Sequence, residues 1–212
     1  MALVLVIIAI SYIAVGLPDS VLGTVWPAVY ADLDLPVSLA GYIALTVSFF
    51  TMLSCLMSTR LTKKFGTGNV AVFSTALTAL ALLGLSFSKN AVYFFLLSIP
   101  LGIGAGTIDA ALNGFVALYC NNSQMSYLHC FYGLGVTLSP YLVSLCLADN
   151  NNWHRAYLTV GLIQAAITLI LLIALPYWKK KEKTSHNWLL WAVVGALILM
   201  GIGTVVYYVY SR

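Results

Sequence analysis

Seven apolar runs, at 2–30, 39–58, 70–88, 91–119, 127–148, 156–176 and 188–208, divide this chain, with short polar or charged breaks between them. A helix needs about 20 mostly apolar residues to cross a bilayer core. In lipid every backbone polar group must find its partner inside the protein, so runs of this kind form helices. Of the 212 residues 61% are hydrophobic and only 8% charged, where a soluble domain has roughly 45–50% and 25%. That balance excludes a soluble globular enzyme and a disordered chain. The formal charge of +4 is too sparse for a basic patch, so nucleic acid is not an expected partner. The reading is an all-α membrane protein with membrane lipid as its surroundings. Cys55, Cys120, Cys130 and Cys146 lie in or at the ends of apolar runs without CxxC spacing. They read as small hydrophobes, and no metal or cofactor is expected.

The first run holds Pro18 and Pro27, which predict a kink or a tilt. It does not read as a cleavable signal peptide, having no basic start and no small-residue cleavage site, with six more runs behind it. Lys89-Asn90 alone separates the third and fourth runs and requires a tight turn. Charge sets the orientation. With a cytoplasmic N-terminus the inner loops carry Arg60, Lys63, Lys64, Lys179, Lys180, Lys181 and Lys183, seven basic residues, against Lys89, Arg155 and Arg212 outside. That predicts a plasma-membrane protein with its N-terminus inside. Trp188 and Trp191, and Tyr207, Tyr208 and Tyr210, bracket the last run as interfacial belts. The Lys179–Lys183 cluster reads as a topology signal that can touch anionic lipid.

A shift of ninety residues places Ile13 on Ile103, Gly16 on Gly106, Asp19 on Asp109 and Leu22 on Leu112, with Tyr42 on Tyr132 and Ser54 on Ser144 further along. The paired Asp is the informative match, because acids are rare in spans. Ninety residues is three spans, so the first three relate to the next three with opposite topology, a 3+3 inverted repeat of the transporter kind. The predicted division is a six-span unit over 1–178 (repeats of about 1–88 and 91–178), a basic loop at 179–187, and an extra transmembrane helix and tail at 188–212.

Asp19 and Asp109 are the charged residues that fall inside the runs. An intramembrane acid costs about 2.5–3.5 kcal/mol on insertion scales and normally faces a cavity or the bundle interior. A carboxyl that can be held either protonated or ionised can carry a proton. Tyr12, Gly16, Asp19, Gly23, Trp26 and Tyr30 share a stripe at helical spacing, as do Gly102, Gly106, Asp109 and Asn113. Carboxylates accept hydroxyl hydrogen bonds and aromatic faces cover the apolar side of a ring, so the pattern suits a sugar. The bland alternative is that each Asp bonds a backbone or hydroxyl group within the bundle. His129, with Tyr132, Gly133 and Val136 on its face, reads equally as a helix-end residue or a cavity residue. Trp26 reads equally as an interfacial anchor or a cavity wall, and Gln164 as an interhelical hydrogen bond. Gly133 to Gly135 follows no strand and is not a dinucleotide fingerprint; with Pro140 it predicts close packing and a bend. Asn121-Asn122-Ser123 matches a glycosylation pattern in a loop expected to be cytoplasmic.

Over about residues 5–180 the chain resembles the N-terminal half of a major facilitator superfamily transporter. Arg60-Leu61-Thr62-Lys63-Lys64-Phe65-Gly66 resembles the family's gate loop, with Leu61-Thr62 in the area where the family has an Asp. Gly16-Leu17-Pro18-Asp19-Ser20, the stretch Gly104 to Asn113 and Leu128 to Gly135 resemble the branch that includes fucose permease. The resemblance implies that Asp19 and Asp109 serve solute binding and proton coupling, beside Asn113, His129 and Tyr132, and that Arg60, Lys63, Lys64 and Gly66 form a cytoplasmic gate. It implies a sugar symporter and not an enzyme. Such transporters have two six-span halves, whereas residues 188–212 do not resemble the family's seventh helix. The expected active form is therefore a homodimer or a pairing with a second six-span half, and the alternative is a truncated, non-transporting membrane subunit.

Overall fold

A computed structural model describes residues 2–148 and 152–179; the run at 188–208 and residues 180–187 lie outside them. The described chain is helical: α1 (Ala2–Asp19), α2 (Val21–Asp32), α3 (Leu39–Phe65), α4 (Thr67–Leu85), α5 (Ala91–Tyr119), α6 (Asn122–Ala148) and α7 (Trp153–Lys179). α1 and α2 are two segments of one span, so these elements supply six helices long and apolar enough to cross a membrane.

The break in the first span falls at Ser20, directly after Pro18 and Asp19. Proline has no N–H, so the carbonyl four residues earlier loses its helical partner. For Pro18 that carbonyl belongs to Ala14, and Gln164 Nε2 from α7 donates to it at 2.9 Å. The same amide donates to Thr78 Oγ1 of α4 at 2.9 Å, which makes Gln164 the interhelical bond its sequence position suggests. Pro140 frees the carbonyl of Val136 in α6, and Ser20 Oγ donates to that one at 3.0 Å. Both of these proline defects are thus filled by a polar side chain from a neighbouring helix, as lipid requires.

The helices pack in the order α3, α5, α4, α7, α1 and α6. Exchanging the first three spans with the last three reverses that order onto itself, as a 3+3 repeat requires. α4 lies deepest, with Ala71, Ala76, Ala79 and Ala81 fully buried. Small side chains let helices approach closely where lipid offers no hydrophobic drive. Outward faces of α3 and α6 carry Tyr42, Leu45, Phe49, Leu56, Tyr127 and Tyr141, as surfaces against hydrocarbon do.

Helix ends overrun the apolar runs. α3 continues through Arg60, Lys63 and Lys64 to Phe65, so those residues lie on its terminal turns and not in a loop. Lys63 and Lys64 place positive charge where the helix dipole favours it. Gly66 ends α3 at φ 82 and ψ 152, a conformation essentially confined to glycine. Likewise α6 starts at Asn122 and α7 at Trp153, ahead of the apolar runs at 127 and 156.

Candidate functional site

Three helices converge on the acids: α1 brings Tyr12 and Asp19, α5 brings Asp109 and Asn113, and α6 brings His129 and Tyr132. Gly16 of α1 sets the approach. A Cβ there would meet the backbone of Tyr132 and Val136, and one at Gly135 would meet the Ile13 carbonyl. The two helices therefore touch backbone to backbone and run parallel. Across that seam Tyr132 donates its hydroxyl to Asp19 Oδ2 at 2.7 Å.

Asp109 belongs to a second chain of bonds. Asn113 lies one turn along α5 and its Nδ2 donates to Asp109 Oδ1 at 3.1 Å. Tyr12 in turn donates its hydroxyl to Asn113 Oδ1 at 2.6 Å. The Tyr12 ring meets the His129 ring edge-on, with centroids 5.3 Å apart. Tyr12 is 1% exposed, whereas Asp19 and His129 are exposed and Asp109, Asn113 and Tyr132 half-buried. The cluster therefore opens on one side. Each acid has one oxygen engaged by a protein donor and one that takes no hydrogen bond among the described residues.

A cavity of about 430 Å³ borders Asp19. Its polar lining comes from Asp19, Ser48 and Thr51 of α3, Ser98 of α5 and Tyr157 of α7, with Phe94 among its apolar walls. Together these groups offer carboxylate acceptors, hydroxyls and aromatic faces to a small polar molecule.

Five of the residues singled out in the sequence come together: Asp19, Asp109, Asn113, His129 and Tyr132. Trp26 does not join them. Its indole N–H donates to the Val37 carbonyl at 3.1 Å while its ring packs at a right angle on Phe94. Trp26 anchors the turn between α2 and α3. Arg60, Lys63, Lys64 and Gly66 form a separate group at the far end of α3. Tyr12 stood on the sequence stripe without a role, and Ser48, Thr51 and Ser98 were not singled out. The stripe that carried Asp19 was the available signal for Tyr12; nothing in a lone Ser or Thr marks the others.

A sequence profile of the Major Facilitator Superfamily matches residues 8–211, and so takes in the run at 188–208 that the resemblance leaves out. A TsgA homologue from Buchnera aphidicola is 24% identical over 199 residues, covering 89% of this chain and 51% of that protein. A TsgA homologue from Erwinia tasmaniensis is 25% identical over 167 residues, 76% of this chain and 42% of the relative. The glucose/mannose transporter GlcP of Bacillus subtilis is 28% identical over 104 residues, 48% of this chain and 26% of that protein. The chain spans about half the length of the TsgA relatives it matches, or less. With its multi-pass helical bundle and this match over nearly its whole length, the chain belongs to the major facilitator superfamily of membrane transporters.

Proposed function

We propose that this chain moves a small polar solute, a sugar, across the plasma membrane in symport with protons. The observation that carries the reading is the pair of intramembrane carboxyls, Asp19 and Asp109, each with one oxygen held by a neighbour and one open, on the one-sided cluster beside the cavity. An open carboxylate oxygen accepts a sugar hydroxyl, and the same oxygen can take a proton. The similarity to the Bacillus glucose/mannose transporter supports a hexose as the first solute to try.

The open side of the cluster requires a cover. A second six-span unit, supplied by another copy or another polypeptide segment, closes it in this reading. The unit over 1–178 acts as one transporter half, with the repeats at about 1–88 and 91–178. Arg60, Lys63, Lys64 and Gly66 serve at the cytoplasmic end as the gate, with the N-terminus inside.

Uptake of labelled D-glucose and D-mannose into vesicles carrying the full chain, with and without an inward proton gradient, tests the reading. Gradient-driven accumulation is expected. Rates that rise more steeply than linearly with protein density are expected if the active unit is a pair. Absence of gradient-driven uptake across a panel of monosaccharides overturns it. For the orientation, a single Cys at Asp34 should react with impermeant thiol reagents in intact cells and one at Lys64 should not; the opposite pattern reverses the topology.

A further inference from the structure

We infer that Tyr12 is a positioning residue: through Asn113 it commits Oδ1 of Asp109 as an acceptor and leaves Oδ2 as the oxygen that takes the proton. The inference rests on the transport reading for its purpose, but its geometry stands apart from it. An ionised carboxylate only accepts hydrogen bonds. Asn113 therefore has to turn its NH2 group to Asp109 Oδ1, as it does at 3.1 Å. That orientation points the amide oxygen at Tyr12. Tyr12 then has to donate, and its single proton is spent on Asn113 Oδ1 at 2.6 Å.

The reverse orientation would set the amide oxygen against the carboxylate oxygen, two acceptors face to face. Tyr12 is buried at 1% exposure, so water does not stand in for its hydroxyl. The chain of donors is thus fixed from α1 inward. A proton placed on Oδ1 would confront the Asn113 NH2 with a second donor. A proton on Oδ2 leaves every bond intact and still lets Oδ1 accept as a carbonyl oxygen. In the protonated acid, then, Oδ1 is the C=O and Oδ2 the O–H.

Five titratable groups lie within electrostatic reach of Asp109: Tyr12 and Asp19 from the first span, Cys55 from α3, and His129 and Tyr132 from α6. Tyr12 is the one joined both to the Asn113 bond and, by its ring edge, to His129. It therefore ties the proton site on α5 to α6 as well as to α1.

Infrared difference spectroscopy of the full chain in lipid vesicles, between acidic and neutral pH, reads this directly. The carboxyl C=O band of Asp109 is the one that Asp109→Asn removes. In the unsubstituted protein it should sit at the lower frequency of a hydrogen-bonded carbonyl. Tyr12→Phe should shift it to higher frequency and broaden it, because the amide is no longer held. Asn113→Ala should shift it as far or further, and adding Tyr12→Phe to Asn113→Ala should change nothing more. An Asp109 band unmoved by Tyr12→Phe overturns the inference, as does a further shift in the double variant or the absence of any Asp109 band. If Tyr12→Phe does not fold, an unmoved band in Asn113→Ala still overturns it. Sugar uptake in the same vesicles is a separate measurement: bands that behave as expected without gradient-driven uptake would remove the transport reading and leave the positioning role in place.

Discussion

Two seams in this bundle are built by the same backbone device and used for different ends. In one, Gly16 and Gly135 bring α1 and α6 into contact; in the other, Gly102 and Gly106 bring α5 against Val47 and Thr51 of α3. Gly16 and Gly106 are the pair matched by the ninety-residue shift. Both seams join parallel helices, and at each of these glycines an added Cβ would strike a neighbour's backbone. The α3–α5 seam is closed by Thr51, Ser54, Cys55 and Ser58, which donate to the carbonyls of Gly102, Gly106 and Thr107. The α1–α6 seam keeps one such bond, Ser20 to the Val136 carbonyl, and otherwise joins side chain to side chain, Tyr132 to Asp19 and Tyr12 beside His129. Hydroxyl-to-carbonyl bonds hold a seam shut. Bonds that end on a carboxylate hold it only until a better donor arrives, so in the proposed transport cycle the α1–α6 seam is the one that can exchange partners.

The largest effect separates the seams least. Gly106→Leu or Gly16→Leu puts a side chain into a backbone that has no room to yield. Overpacking usually costs about 1–3 kcal/mol, and more where rigid elements must part. Both variants should lose most of the folded protein recovered after detergent extraction and size-exclusion chromatography. Equal recovery of either variant and the unsubstituted chain would show that the contact is not needed.

The next effect falls on one seam only. Asp19→Asn preserves shape and removes the charge, so the fold should survive. Gradient-driven uptake should drop by at least about tenfold, equivalent to about 1.4 kcal/mol. Asp109→Asn should do the same while sparing solute exchange measured without a gradient, the outcome expected if Asp19 binds the solute and Asp109 couples it to protons. Full gradient-driven uptake by the double variant would make both acids structural.

How far the sequence reaches can be seen from these residues. Run length and low charge identified the six spans among the described residues, because lipid punishes exceptions. The two acids stood out for the same reason, and the polar face of α1, α5 and α6 followed from helical spacing. What stayed hidden depends on where helices meet. The predicted bend at Pro18 is an interruption of the helix at Ser20, where Gln164 donates to the Ala14 carbonyl that Pro18 frees and Ser20 donates to the Val136 carbonyl that Pro140 frees. Trp26 bonds the Val37 carbonyl and packs on Phe94, partners brought by the turn before α3 and by α5, which a stripe along the first span does not show. Helix ends were misplaced because α3 continues past the hydrocarbon through Arg60 and the two lysines.

Tyr132→Phe tests the bond at the centre of the α1–α6 seam. The hydroxyl at 2.7 Å from Asp19 Oδ2 is lost, but the Gly16 contact with the α6 backbone is not. Asp19 is exposed, so water can replace part of the missing bond. Gradient-driven uptake should fall about fivefold, near 1 kcal/mol, with the thermal unfolding midpoint unchanged. A drop in stability comparable to that of Gly16→Leu would mean the side chains, and not the glycines, hold this seam.

The smallest effect compares the two seams bond for bond. Interhelical hydrogen bonds in a membrane bundle average about 0.6 kcal/mol, so Ser58→Ala in the α3–α5 seam and Ser20→Ala in the α1–α6 seam should each lower stability by about that much. Ser58 donates to the Thr107 carbonyl at 3.0 Å, and Ser20 to the Val136 carbonyl at the same distance. Of the two, Ser20→Ala should cost somewhat more in unfolding titrations, because it alone leaves a carbonyl with no helical partner. Uptake should separate them further. Thr107 lies in an unbroken stretch of α5, with its next proline behind it at Pro100. Val136 is the carbonyl orphaned by Pro140, and Ser20 is the break itself, next to Asp19. Loss of the Ser20 bond leaves that orphan without its donor and frees the joint that aims the acid. Ser20→Ala should lower gradient-driven uptake by about twofold while Ser58→Ala leaves it unchanged. Equal uptake in the two variants would mean that the α1–α6 seam is simply another packing contact, and that Asp19 keeps its aim without it.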